Sequence, residues 1–158
     1  MYEPEPSPAA DVLRLVNEAP RCFFLLSAMA EHVYAELGVG GPERGVLRDL
    51  FLEGAQSVPE IARRRPRTRQ AVQQVVARLL EKGLVEVAQN PRHRRSKLFV
   101  LTKKGIALCV EMQERDLDEI RRIAARRGFG DAAAAADVLA RLNAALAEEL
   151  AAREAAPM

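Results

Sequence analysis

Residues 57–83 read SVPEIARRRPRTRQAVQQVVARLLEKG. Two helix starts stand in this stretch. Ser57 followed three residues later by Glu60 is a capping box, with Pro59 inside the first turn. The helix it opens is short, about Val58 to Arg64, because Pro66 disfavours helical backbone just before it. Thr68 is the N-cap of a second helix, Arg69 to Lys82. Helical spacing puts Val72, Val75, Val76, Leu79 and Leu80 on its buried face, and Arg69, Gln70, Gln73, Gln74 and Arg78 on the other. Gly83 supplies the stop. The period then changes. Leu84–Ala88 and Lys97–Leu101 are short β-type runs, and Gln89-Asn90-Pro91-Arg92-His93-Arg94-Arg95-Ser96 joins them as a cationic hairpin loop. Two helices across a tight turn, with a hairpin after them, make a winged helix-turn-helix.

Outward from this lobe the pattern is helical. Asp11–Leu37 carries apolar residues at roughly helical spacing, and Pro20 is expected to kink it or start a new segment. Gly38-Val39-Gly40-Gly41-Pro42 is a break, and Glu43–Leu52 is a short helix with Val46, Leu47, Leu50 and Phe51 on one face, closed by Gly54. Thr102 caps a long helix to about Arg127. Gly128-Phe129-Gly130 breaks it, and Asp131 caps a last Ala-rich helix with Val138, Leu142, Leu146 and Leu150 in phase. The expected fold class is mainly α with a small β-hairpin wing, a winged helix-turn-helix flanked by N- and C-terminal helices. The expected division is a flexible arm (1–10), an N-terminal helical segment (11–42), the winged lobe (43–105) and C-terminal helices (106–158).

Composition sets the outer bounds. The 158 residues include 49% hydrophobic and 29% charged, ordinary for a globular chain, so disorder of the whole is not expected. No stretch approaches the roughly 20 apolar residues of a membrane span, and Met1–Ala10 lacks the basic start of a secretory signal. Two cysteines cannot build a secreted disulfide framework, so the cytoplasm is the expected compartment. The net charge is only +2, yet Arg63 to Lys104 holds 13 basic residues against 2 acids. A block this basic inside an otherwise acidic chain is a surface for a polyanion.

The polyanion that fits the pattern is double-stranded DNA. An α-helix fits the major groove and meets base edges with its first residues. Arg69, Gln70 and Gln73 occupy that position, and Arg and Gln match guanine and adenine edges. Arg67, Thr68, Gln74 and Lys97 are placed to hold the DNA backbone. In the wing, Arg92, His93, Arg94 and Arg95 can reach a phosphate strand or a minor groove. Taken singly, a Gln/Arg face is ordinary solvated surface and a basic loop aids solubility. Their fixed succession within one basic block favours nucleic acid. A protein-binding winged-helix module would expose apolar residues at the tip of the second helix. An RNA reader would present stacking aromatics, and none lies between Arg63 and Lys97.

Pro59-Glu60-Ile61-Ala62, Arg69-Gln70-Ala71-Val72-Gln73, Leu80-Glu81-Lys82-Gly83-Leu84-Val85, Asn90-Pro91-Arg92-His93-Arg94-Arg95 and Leu101-Thr102-Lys103-Lys104-Gly105 together resemble the MarR family of bacterial winged-helix regulators. The resemblance is close over about Glu43 to Gly105; the flanking helices agree in number and order. It implies an obligate homodimer joined by the terminal helices and bound to a pseudo-palindromic operator, as a repressor. It also implies release by a ligand or an oxidant, through a cleft between the dimer helices and the DNA-binding lobe. The family's wing often reads Asp-Pro-x-Asp-Arg-Arg; here Asn90 and His93 replace the acids. On that pattern Arg95 is the wing-tip arginine, with Arg94 beside it, and either can enter the groove.

A branch of the family senses hydroperoxides with a cysteine in its first helix, which makes Cys22 a redox candidate. Near a helix start a thiolate is favoured, but the flanking Phe23, Phe24, Leu25 and Leu26 suggest a buried, packing cysteine. Cys109 reads as packing too. His32 stands without His, Cys or acid partners at ligand spacing, so it is expected to pack, and no metal or cofactor is expected. No nucleophile elbow, phosphate loop or paired-carboxylate motif is present, and the chain is not expected to be an enzyme.

Overall fold

The computed structural model describes residues 7–64, 68–91 and 96–155. The element order is α1 (Pro8–Val33), a 3-10 turn (Ala35–Leu37), α2 (Gly41–Glu53), α3 (Val58–Arg64), α4 (Arg69–Glu81), β1 (Val85–Ala88), β2 (Leu98–Leu101), α5 (Lys103–Arg126) and α6 (Ala132–Ala155). The described chain forms two compact units, divided within α5 at Asp116–Leu117.

Caps fix most boundaries. Ser7 accepts the Ala10 N–H at 3.2 Å, and Pro8 stands in the first turn, so α1 starts inside the stretch expected to be an arm. Pro20 neither ends the helix nor divides it. A proline removes one backbone donor, and here apolar helical patterning on both sides carries the helix through. Gly40 has no side chain to cap α2, but its N–H reaches Glu43 Oε2 at 2.9 Å. Gly54, at φ +76, ends α2 with its N–H on the Leu50 carbonyl. At α3, Glu60 Oε2 accepts both the Ser57 N–H at 2.7 Å and the Ser57 hydroxyl at 2.6 Å. The carboxylate arm of the expected capping box is therefore present.

The core of the first unit lies where α2, α3, α4 and the hairpin meet. Val46, Leu47 and Leu50 of α2, Ile61 of α3 and Val72, Val75, Val76 and Leu79 of α4 are all buried. Leu80 and Phe51, expected inside, are partly exposed, because each lies at the margin of its helix's apolar stripe. The hairpin is antiparallel, pairing Val85 with Leu101 and Ala88 with Leu98. A third segment touches it: Gln56 and Phe99 exchange backbone hydrogen bonds of 3.1 and 2.8 Å. That bridge ties the α2–α3 connection to the wing's base. Gly105 lets α5 approach β1, since a Cβ there would lie 2.0 Å from the Leu84 carbonyl oxygen. Thr102 caps α5 as expected, accepting the Gly105 N–H at 3.0 Å.

The second unit comprises the remainder of α5 and α6. None of the described residues of α6 is buried; Leu139, Leu146 and Leu150 are exposed, and Val138 and Leu142 are half-buried. Among the described residues no helix is long and apolar enough to cross a membrane.

Candidate nucleic-acid interface

The interface is built on α4. Its apolar stripe is anchored in the core, and that anchoring turns Arg69, Gln70, Gln73 and Gln74 outward, where all four are exposed. Thr68, also exposed, caps the helix by accepting the Ala71 N–H at 3.2 Å. The remaining backbone N–H groups of that first turn carry the positive end of the helix dipole, which favours an anion. Lys97, just before β2, is exposed as well. Arg67 and the wing residues Arg92, His93, Arg94 and Arg95 lie outside the described residues.

Not every arginine of this region is available to a polyanion. Arg78, on the polar face of α4, sits 3.3 Å from Glu43 Oε1. Lys82 Nζ lies 2.9 and 2.7 Å from the two oxygens of the same carboxylate. Glu43 is only 4% exposed. Burial pushes its carboxyl up, but the hydrogen bonds from Lys82, Gly40 and Arg78 and the Lys82 charge outweigh burial, so it is held below the usual carboxylate range. This cluster fastens the back of α4 to the start of α2. Likewise Arg64 is paired with Glu53 at 2.7 Å, and that pairing lowers the Glu53 carboxyl. Among the described residues Arg63 and Arg69 have no acidic partner. Uncompensated charge thus stands at the tip of the helix pair, with further cations without an acidic partner among the described residues at Lys97, Lys103 and Lys104.

A second network joins α1, α2 and α5. Tyr34 donates to Asp116, Arg48 Nη2 lies 2.5 Å from the other Asp116 oxygen, and the Arg44 guanidinium stands 5.0 Å from the centre of the Tyr34 ring. The Tyr34 hydroxyl is pushed up to about 12, first by burial, then by its hydrogen bond to Asp116. Arg115 donates to the Val33 carbonyl at 3.0 Å. Neither this network nor the Glu43 cluster was expected from sequence. Their long-range pairs, Glu43 with Arg78 and Tyr34 with Asp116, are 35 and 82 residues apart, and local spacing is silent at that range.

Two sequence expectations are corrected. Cys22 is not near a helix start: α1 begins at Pro8, about four turns earlier at 3.6 residues per turn. It is also exposed rather than packed. The four apolar residues after it are themselves exposed and do not cover it. His32 is exposed too, on the solvent side of the last turn of α1, and is not a packing residue. Cys109 does pack: it is buried, with Sγ 3.7 Å from the Leu47 carbonyl, and burial pushes its thiol up.

With this geometry in view, similarity to known proteins is informative. A sequence model of the MarR family matches residues 38–96, which include α2, α3, α4 and β1 and stop just before β2. An uncharacterised protein of Mycobacterium tuberculosis is 35% identical over 115 residues, covering 73% of this chain and 75% of that protein. Among solved structures, a MarR-family transcription regulator superposes with a TM-score of 0.70 at 22% identity, covering 89% of this chain and 95% of that one. Bordetella bronchiseptica BpsR, whose DNA binding is regulated by 6-hydroxynicotinic acid, gives a TM-score of 0.66 at 21% identity, over 82% of this chain and 98% of its own. A cysteine-substituted MarR of E. coli complexed with operator DNA gives 0.65 at 18% identity, over 86% and 97%. The six α-helices among the described residues, the two-stranded antiparallel wing and these matches lead to one assignment: the chain belongs to the MarR family of winged-helix, non-enzymatic DNA-binding transcription regulators.

Proposed function

We propose that the chain acts as a homodimeric repressor on a pseudo-palindromic stretch of double-stranded DNA, and that a small aromatic or apolar ligand releases it. Arg69, Gln70 and Gln73 read base edges from the major groove. Arg67, Thr68, Gln74 and Lys97 hold the backbone, and the wing residues Arg92, His93, Arg94 and Arg95 reach the flanking strand or groove. Residues 43–105 form the DNA-binding lobe, and 11–42 and 106–158 supply the dimer contacts. The observation that carries this reading is the α4 face: apolar side locked in the core, outer side exposed and made of Arg and Gln. A protein-docking face would present large apolar side chains at that tip, and α4 presents none there.

The dimer is supported by apolar residues left bare in a single chain. Phe23, Phe24 and Leu25 are 66, 68 and 63% exposed, and three large apolar side chains bare on successive sides of one helix are more than a soluble monomer ordinarily presents. DNA as partner is supported by the E. coli MarR–operator complex, and a ligand by BpsR and its hydroxynicotinic acid. Selection of bound sequences from random duplex DNA tests the reading. The expected product is a two-fold related pair of half-sites about one helical turn apart. Recovery of a single unpaired site, or of no sequence at all, overturns it.

A further inference from the structure

Residues 63–65 are three successive arginines, and nothing in their spacing tells the first two apart. The fold does. Both stand in the last turn of α3. Successive residues of a helix point about 100° apart, so the two side chains leave α3 on different sides. Arg64 turns toward α2. Its Nη1 lies 2.7 Å from Glu53 Oε1 and its Nη2 lies 3.1 Å from Glu53 Oε2, a two-pronged pairing with the last residue of that helix. The charges of Asp49 and Glu60 favour its cation as well. Arg63 is exposed and has no acidic partner among the described residues.

Arg64 and Glu53 keep 51 and 44% of their side-chain surface exposed, so the pair spends its charge at the surface without filling the core. A surface pair of this kind adds little to stability. Its consequence lies in the charge it cancels. Affinity for duplex DNA grows with each phosphate that a cation neutralises, by about 0.9 in log–log salt slope per contact. A guanidinium already held by a carboxylate adds none: taking a phosphate would only exchange one anion for another and leave a bare carboxylate beside the DNA. We propose that Arg63 is a further phosphate-contacting residue, and that Glu53 withholds Arg64 from the DNA and so limits the affinity of the lobe. The inference rests on the reading that the tip of the α3–α4 pair meets duplex DNA.

The two ends of α2 thus carry acids of opposite use. Glu43 is buried and clasps Arg78 and Lys82, which fixes α4 in place. Glu53 is open to solvent and holds only a cation that could otherwise serve the DNA. Random-sequence binding is almost wholly electrostatic, and it competes with the operator at every other site on a genome. Glu53 keeps that term from growing.

The test measures binding of the full-length protein to random-sequence duplex over a range of salt, for the parent and its variants, with thermal midpoints as the check on folding. Arg63→Gln should flatten the slope by about 0.9 per lobe and weaken binding. Glu53→Gln should steepen it by about 0.9 per lobe and tighten binding roughly tenfold near physiological salt, because Arg64 is released. Glu53→Gln combined with Arg64→Gln removes a pair of zero net charge and should restore the parent slope. Glu114→Gln takes an exposed acid from α5 and changes the net charge as Glu53→Gln does, and it should leave the slope as it is. An Arg63→Gln slope equal to the parent's overturns the contact. A Glu53→Gln slope equal to the parent's overturns the withholding role, as does a steepening that survives in the double variant or appears equally in Glu114→Gln. Arg69→Gln separates the inference from its basis: if it flattens the slope while Arg63→Gln and Glu53→Gln change nothing, the roles of Arg63 and Glu53 fall and the DNA reading stands. A parent that binds no duplex overturns both.

Discussion

Gln73 and Glu43 show how differently two polar residues can act within one lobe. Gln73 is exposed on the outer face of α4 and neutral. If it reads a base edge, Gln73→Ala should lose roughly 1–3 kcal/mol of discrimination at a symmetric pair of operator positions. Binding to random duplex should hardly change; equal weakening of both DNAs would remove Gln73 from the base-reading set. Glu43 is buried beneath Lys82 and Arg78. Its folded-state carboxyl lies below its ordinary value of 4.5, so its contribution to stability is fully present above about pH 4.5 and fades as pH falls through the lower folded-state value. Glu43→Gln should cost about 1–3 kcal/mol near neutrality, below the cost of breaking a fully buried pair, because Lys82 and Arg78 are partly solvated. The gap between parent and variant in denaturant titrations should narrow below pH 4. A gap that stays constant with pH would show that Glu43 matters by packing alone. The outward Arg–Gln face was legible in the sequence because a 3.6-residue period assigns every position of α4 to a side. The Glu43 cluster was not, since an acid in the first turn of α2 looks identical whether it is solvated or clasped by lysine and arginine from another helix. Cys22 was misplaced for a related reason. Pro20 is a local stop signal, and only the apolar pattern on both sides of it shows that α1 continues.

Among the elements, the hairpin and its junction with α5 test the winged lobe most directly. Strand boundaries agree with the sequence expectation to within one residue at each run, because β1 and β2 are bounded by Gly83 and Thr102, which have plain turn and cap chemistry. The Gln56–Phe99 bridge escaped notice, since a two-residue pairing leaves no periodicity to read. At the junction, Gly105 accepts a contact no side chain could share. Gly105→Ala should destabilise the lobe by about 1–3 kcal/mol through overpacking, despite alanine's better helix propensity. Thermal unfolding of the variant checks this, and an unchanged or raised midpoint would mean that β1 and α5 separate freely. The wing's cations make a separate, electrostatic claim. Binding should fall with salt by about 0.9 in log–log slope per phosphate neutralised. Replacing Arg94 and Arg95 together with Ala should flatten that slope and weaken all sequences alike. A slope unchanged in the double variant would take the wing off the DNA.

At the scale of the molecule the question is what covers α1. Phe23, Phe24, Leu25 and Leu26 are consecutive, so at 100° per residue they point to nearly every side of the helix, and all four are exposed. A helix that is apolar all round belongs in an interior. In this chain that interior is missing: the last buried position before Tyr34 is Ala10. The sequence already pointed to terminal dimer helices, but not to how fully this segment depends on another chain. A partner able to enclose several sides of one helix is more easily supplied by interlocked copies than by a flat docking surface. Phe23→Asp combined with Phe24→Asp places two charges where two aromatic rings should be desolvated, and neither charge has an opposite partner in sequence nearer than Arg21. Sedimentation at micromolar protein should show the parent with the mass of two chains and the double variant with the mass of one. Because operator affinity rests on two α4 helices held together, the variant should also lose most of its preference for the two-fold site. Its residual binding to random duplex should have about half the salt slope, since one lobe neutralises about half the phosphates. A parent that sediments as a single chain, or a variant that keeps the dimer mass and full operator affinity, would mean that α1 is covered by something other than a second copy.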